Sequence, residues 1–318
     1  MRLVLQLAAV AADDLARPLV LTCWQSVSPN DPVHLSTVET VLEYEILAPT
    51  HFCFNIEAAH WPTQNIVSER LAVSSGVSVH SFTDPGSGNR FFRFDASPGP
   101  LIVDYKADVE VFSEHIDEHL HETPVSQVPD AIFHYLMPTR YCESDLLSAE
   151  AQRLFGNDPP GISRVRRLIH WIHANIEYRP GSSTSTTTAQ EVFTQRSGVC
   201  RDFAHLGITF CRALNIPARL VVGYVWFDEP PQDFHAIFEA WIGGRWVLFD
   251  PTGMAPVDRL VRIGTGRDAK DVAFSTIFGS LRMTRKEVNV LEHDPRGRVP
   301  SGMPALQLAA GAPAAASA

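Results

Sequence analysis

No uninterrupted apolar run in this sequence reaches the roughly 18 residues that a membrane-spanning helix requires, so no membrane span is expected. Cysteine is sparse as well: the five that occur are an odd number, show no Cys-x-x-Cys spacing and form no regular framework. That pattern argues against a disulfide scaffold and a zinc site of the cysteine type, and it fits a reducing, cytoplasmic setting. Positive charge is the third shortage. With 26 Lys and Arg against 36 Asp and Glu, the formal net charge is −10 at pH 7, whereas a phosphate backbone calls for a basic footprint. Nucleic acid is therefore not an expected partner. Arg2 and the apolar stretch from Leu3 to Ala12 look faintly like a secretory leader, but the stretch is short, is broken by Gln6 and follows a single positive charge. Residues 1–37 are read as an extension outside the folded domains.

What is present is enough apolar material, 45% of 318 residues, for one large domain or two of ordinary size. Residues 38–112 read as strands divided by turn residues, at 38–47, 51–58, 65–73, 77–82, 90–94 and 101–112. Phe52, Phe54 and Ile56 alternate, and Asp84-Pro85-Gly86-Ser87-Gly88 is a strong loop signal, so an antiparallel β-sandwich-like domain is expected. Residues 113–130 are acidic, end between Pro124 and Pro129, and are read as a solvated linker. His115 and His119 within it would share a face only if the stretch were helical. Helical periodicity appears at 146–155 and at 162–176, the second with a stripe of Val165, Leu168, Ile169 and Ile172. His170 and His173 on that helix are read as flanking or core residues. The polar loop 180–188 is read as a spacer whose Thr188 caps a short helix over 189–194. From Pro300 onward Ala, Pro and Gly dominate, and 296–318 is expected to be a disordered tail.

The chemistry gathers around Ser197-Gly198-Val199-Cys200-Arg201-Asp202-Phe203. Phe203, Leu206, Gly207, Phe210, Cys211 and Leu214 fall on one stripe of a helix that Asn215-Ile216-Pro217 ends. Cys200 stands at the start of that helix, where unpaired N–H groups and the positive end of the macrodipole help a thiol to lose its proton. Such a position makes a nucleophile, while Cys23, Cys53, Cys142 and Cys211 read as buried small hydrophobes. A helical rise of roughly 16 Å keeps Cys211 from pairing with Cys200. Downstream, two strand-like runs flank Gly243-Gly244, one carrying His235 and the other ending at Asp250. An imidazole with one nitrogen toward sulfur and the other held by a carboxylate is the arrangement of nucleophile, base and orienter. His205 is nearer in sequence, but at about 100° per residue it projects about 140° around the helix from Cys200. Asp202, in the first turn, favours the helix end electrostatically. A valine-rich strand is expected at 218–227, Asp268 is expected to hold a loop, and a strand at 288–291 to close the sheet.

The run GVCRDFAHLGITFCRALNIPARLVVGYV, followed by DFHAIFEAWIGGRWVLFDPT, resembles the core of the transglutaminase-like superfamily, in particular its bacterial members with a β-rich N-terminal domain. The likeness extends over residues 38–292. It implies an α+β chain, with the antiparallel β-sandwich-like domain followed by a papain-like core over 131–295 and a Cys-His-Asp triad on Cys200, His235 and Asp250. Animal cross-linking members carry glutamine before the nucleophile and tryptophan after it, whereas Val199 and Arg201 stand here, and no calcium loop of the D-x-[DN]-x-[DN]-G type is present. The expected activity is thus acyl transfer on amide bonds through a thioacyl-enzyme intermediate, as a cysteine peptidase or amidase acting on a protein or peptide. The Cys200 backbone N–H is one expected donor to the oxyanion, with the second unassigned. Amine acyl transfer by the same triad, and a protein-binding module with a relic triad, are the alternatives. No cofactor or metal is expected, and the oligomeric state cannot be read.

Overall fold

Strict alternation builds the first half of the chain in the computed structural model, which describes residues 33–293 apart from Ser75. Of the expected N-terminal extension, residues 1–32, with Cys23, lie outside the described residues, as does the expected tail, while residues 33–37 are not outside the fold but open its first strand. Six strands come first: β1 (Val33–Ile46), β2 (Thr50–Phe54), β3 (Gln64–Val73), β4 (His80–Thr83), β5 (Arg90–Ala96) and β6 (Gly99–Phe112). Every second residue is buried from Val38 to Ile46 in β1 and from Leu101 to Val111 in β6, the period of strands with one face on a core. These two pair antiparallel over their whole length, from Val33 opposite Phe112 to Ile46 opposite Gly99. The strand expected at 77–82 starts later, at His80, because Val77 still belongs to a turn in which its N–H reaches the Ser74 carbonyl.

The helices follow: α1 (Asp130–Phe133), α2 (Ser148–Phe155), α3 (Ile162–Asn175), α4 (Ala189–Gln195) and α5 (Cys200–Ala213), with the two-residue strands β7 (Glu177–Tyr178) and β8 (Ser197–Gly198) on either side of α4. Then come β9 (Ala218–Tyr224), β10 (His235–Ile242), β11 (Arg245–Phe249), β12 (Val261–Gly266), β13 (Ser275–Phe278) and β14 (Leu281–His293). Two four-stranded sheets, ordered β14-β1-β6-β3 and β13-β2-β5-β4, share one core built on Leu42, Phe52, Phe54, Phe92, Phe94 and Tyr105. The third, β11-β10-β9-β12, packs on α5 around Phe203, Leu206, Phe210 and Phe238. The chain is therefore α+β with an antiparallel β-rich front, as its sequence implies.

Two further expectations need correction. The strand foreseen at 288–291 is longer and joins a different sheet: β14 pairs with β1, from Leu35 opposite His293 to Ile46 opposite Leu281, and buries Val288 and Val290 in the front core. The stretch read as a solvated linker is docked. Ile162 N–H donates to the Leu120 carbonyl (2.9 Å), Gly243 N–H to the His121 carbonyl (2.8 Å), and Gly161 N–H to the Glu122 carboxylate (3.0 Å). Its His115 and His119 are exposed on irregular backbone and share no helix face.

What seats α5 on the sheet is a missing side chain. A Cβ on Gly207 would stand 2.6 Å from the Phe238 ring of β10. Gly207→Ala is expected to push the helix off the strand that carries His235, at roughly 1–3 kcal/mol, the usual range for overpacking. Thermal melts read this as a lower Tm, and an unchanged Tm would mean that the ring steps aside freely. At its other end α5 stops as foreseen: Asn215 turns left-handed (φ 63°), Ile216 N–H closes on the Cys211 carbonyl at 2.9 Å, and Pro217 follows.

Candidate active site

Local constraints fix Cys200 in the first turn of α5. β8 runs parallel to β7, with Tyr178 opposite Gly198, and Val199 is extended (φ −115°, ψ −179°). The fully buried Asp202 carboxylate then turns back to accept the N–H of Val199 at 2.9 Å, and its other oxygen takes the Arg201 guanidinium at 2.8 Å. A Cβ on Gly198 would lie 2.8 Å from the Asp202 Cβ, so the chain passes there only as glycine. Asp202 thus serves as a reverse cap as well as a first-turn charge. The Cys200 thiol is half-buried, with Sγ 4.0 Å from the Phe234 carbonyl oxygen.

The hairpin brings the other two residues together. Gly243 and Gly244 both have positive φ (60° and 77°), which suits a tight two-residue turn between β10 and β11. With Phe238 opposite Phe249 in the register, His235 at the start of β10 comes beside Asp250 just past the end of β11. His235 Nε2 lies 3.0 Å from Asp250 Oδ2, and the two side chains are only 1% and 4% exposed. Asp250 Oδ1 accepts the N–H (2.8 Å) and the hydroxyl (2.7 Å) of Thr252, and Oδ2 accepts the N–H of Ala255 at 3.3 Å. Held by these donors, the carboxylate keeps its aim on the imidazole. His173, read from the sequence as flanking or core, ties α3 to this turn, its Nδ1 3.0 Å from the Thr252 carbonyl oxygen.

Electrostatics makes His235 and Asp250 an ion pair. Burial alone would strip the proton from His235, but the hydrogen bond to Asp250, the hydrogen bond to Cys200 and the charges of both raise the imidazole from 6.5 to about 10. Burial likewise pushes the Asp250 carboxyl up, yet His235 and Thr252 outweigh it and hold the group below its ordinary 3.8. Since Nε2 engages Asp250, Nδ1 is the ring nitrogen left for sulfur. Burial pushes the Cys142 thiol up to about 12 and raises those of Cys211 and Cys53 too.

The other singled-out residues take structural places. His205 is completely buried, its Nε2 accepts the N–H of Ala269 at 3.1 Å, and burial drives its basicity well below the ordinary value. Asp268 accepts the N–H of Lys270 at 2.8 Å and so holds its loop. Thr188 and Glu191 form a reciprocal cap on α4. One neighbour of the thiol had no sequence signal at all: Tyr178, whose phenol oxygen lies against Cys200. Among the described residues no group of three or more His, Cys, Asp or Glu side chains is placed to hold a metal ion, and no helix is long and apolar enough to cross a membrane.

Comparison with known proteins agrees with this architecture. Residues 148–251 match the model of the transglutaminase-like superfamily, and residues 36–131 match that of the bacterial transglutaminase N-terminal domain. The crystal structure of a candidate cysteine protease from Cytophaga hutchinsonii is similar at a TM-score of 0.80 and 39% identity, over 83% of this chain and 92% of that one. An uncharacterised protein of Mycobacterium leprae is 32% identical over 158 residues, 46% of this chain and 55% of the other. One from Mycobacterium tuberculosis is 38% identical over 127 residues, 36% of this chain and 40% of the other. The matches thus span about half or less of these mycobacterial relatives. The front strands fall within one matched segment, the helix of Cys200 and the hairpin of His235 and Asp250 within the other, and a solved relative repeats the arrangement nearly end to end: the chain belongs to the transglutaminase-like superfamily, among its bacterial members with a β-rich N-terminal domain.

Proposed function

We propose that Cys200, His235 and Asp250 form a catalytic triad for acyl transfer on amide bonds of proteins or peptides, with water as the usual acceptor, so that the protein is a cysteine peptidase or amidase. The observation that carries this reading is the behaviour of one imidazole. A buried histidine with no carboxylate beside it is pushed toward the neutral form, as burial and the charges of Arg201 and Arg212 do to His205, whereas His235, equally buried, is bonded to Asp250 at 3.0 Å and raised to about 10 by Asp250 and Cys200 against burial. The description of the Cytophaga hutchinsonii relative as a candidate cysteine protease agrees with it.

In this mechanism the Cys200 sulfur, its proton lodged on His235, attacks the amide carbonyl. The carbon–sulfur bond forms as the carbonyl π pair moves onto oxygen, whose charge meets the Cys200 N–H. When that pair returns, the carbon–nitrogen bond breaks and the amine leaves with the proton of His235. A thioester remains. Water, giving a proton to His235, then attacks it, and the acid and the thiol are released. Asp250 keeps the ring oriented and balances its charge throughout. A primary amine in place of water would make the same thioester a cross-linking intermediate, and incorporation of a fluorescent amine into a glutamine-bearing protein would reveal it. Val199 and Arg201, in place of the glutamine and tryptophan of the animal cross-linking enzymes, favour water. The described cysteines are all free thiols, which suits a cytoplasmic protein whose nucleophile must stay reduced.

Iodoacetamide alkylation, followed cysteine by cysteine by peptide mass spectrometry, tests the proposal. Cys200 is expected to react far faster than Cys53, Cys142 and Cys211 below neutral pH. A Cys200 that reacts no faster than Cys53 would take away the nucleophile and favour a binding module with a relic triad.

A further inference from the structure

The triad leaves one polar group beside Cys200 without a task, the phenol of Tyr178. Its place is built rather than incidental. The N–H of Arg179 donates to the Gly198 carbonyl at 2.9 Å and the N–H of Glu177 to the Arg196 carbonyl at 2.8 Å, locking β7 alongside β8. The Tyr178 ring rests against Phe203 of α5, with centroids 5.9 Å apart. So held, the half-buried side chain directs its phenol to the Cys200 turn, where the backbone N–H and the sulfur both act on it. That N–H is one of the first-turn donors for which an α-helix supplies no carbonyl. Burial first, and the Cys200 sulfur next, keep the phenol proton in place well above the usual tyrosine range, so the group remains a donor wherever the protein is folded and working.

We propose that Tyr178 is the second donor of the oxyanion hole: its O–H, together with the backbone N–H of Cys200, takes up the charge that develops on the carbonyl oxygen as Cys200 attacks. The assignment rests on the acyl-transfer reading above. A substrate carbonyl oxygen entering between the two groups receives one hydrogen bond from each. Both bonds strengthen as the carbon–sulfur bond forms and the π pair moves onto oxygen, and both relax when the pair returns and the leaving group departs. Tyr178 gains and loses no proton in the cycle; the proton of the leaving amine comes from His235.

Two reagents that reach the same sulfur by different routes test this. p-Nitrophenyl acetate acylates a thiol through a tetrahedral oxyanion, whereas iodoacetamide alkylates it by direct displacement of iodide, with no oxyanion. Tyr178→Phe keeps the ring on Phe203 and removes only the oxygen. Acetylation of Cys200, read as p-nitrophenolate release and as the acetylated peptide, is expected to slow roughly 10²–10³-fold, the effect of removing one oxyanion donor. Alkylation of the same cysteine is expected to keep its wild-type rate, which also reports a folded variant. Equal losses in both reactions would overturn the proposal in favour of a phenol that acts on the sulfur, and no loss in either would overturn it outright. A wild-type protein that is not acetylated at Cys200, or a Cys200→Ala variant that reacts as well as wild type, would sink the acyl-transfer reading and the Tyr178 assignment together. An acetylating wild type matched by Tyr178→Phe removes the assignment alone.

Discussion

His235→Ala lowers the rate of acyl transfer at Cys200 by roughly 10²–10⁴-fold, the range for a positioned acid–base group, and abolishes the preferential alkylation of Cys200 below neutral pH. The expectation follows from where the proton sits. In the wild type the imidazole, raised from 6.5 to about 10, carries it through the whole neutral range, ready for the leaving amine. Because the folded value lies above the ordinary one, the stabilising effect of the charged ring is complete below 6.5 and fades as the pH rises through about 10. Asp250 behaves in the opposite sense: its depressed carboxyl contributes above its ordinary 3.8 and loses that contribution as the pH falls below it. The wild-type rate profile should therefore decline on its alkaline side as the ring discharges, and that limb should be missing in the variant. Asp250 keeps the Thr252 and Ala255 donors when the imidazole is removed, and a thermal melt of the variant separates lost folding from lost chemistry. Stopped-flow acetylation across the pH range, beside peptide-resolved alkylation, measures both effects. A variant that matched wild type at every pH would mean that the sulfur needs no imidazole.

Those three residues were legible because each stands at a point of punctuation. Cys200 opens an apolar helical stripe, His235 opens a strand after a loop, and Asp250 closes the strand beyond two glycines. The structure then places His235 and Asp250 within 3.0 Å because hairpin register is a local matter. The front strands were equally visible, since alternation such as that of β1 and β6 needs no knowledge of a partner. What escaped depends on partners far along the chain. β14 meets β1 through Leu35 and His293, and nothing in its own pattern says which sheet it will join. The docking of 113–130 runs through backbone groups of Leu120 and His121, which carry no residue signature. Tyr178 reaches Cys200 through a two-residue parallel pairing too short to leave a periodic trace. The reverse cap of Asp202 was half legible: its charge in the first turn could be read, but its bond to Val199 depends on the bare backbone of Gly198.

Glu239→Gln is expected to cost about 3–5 kcal/mol of stability, the usual effect of removing one partner from a buried charge cluster. Glu239 lies on β10, the strand that begins with His235, and is 3% exposed. Its carboxylate accepts from Arg219 Nε at 2.7 Å and from Arg262 on its other oxygen. Each guanidinium also covers an indole, Arg219 over Trp246 at 4.1 Å and Arg262 over Trp61 at 4.3 Å. Burial pushes the Glu239 carboxyl up, but the two arginines hold it down to about 2, so its contribution is present above the ordinary 4.5 and is lost as the pH falls through about 2. A neutral glutamine leaves two buried cations with no negative charge between them and turns an amide N–H₂ toward one of the guanidinium groups. The damage should not stop at the hairpin. Arg262 exchanges hydrogen bonds with the Gln64 side chain, through its N–H at 2.8 Å and its carbonyl at 3.0 Å, so the same cluster fastens the front β-rich region to the strand of His235. Denaturant unfolding should show a lower midpoint, and acyl transfer should weaken in step as the strand loosens. Replacing the charges together, with Glu239→Leu and Arg262→Met, should cost less than the single glutamine, because it leaves fewer buried cations uncompensated. A single variant with the wild-type midpoint would mean that water reaches the two arginines, and the cluster would then count as surface rather than core.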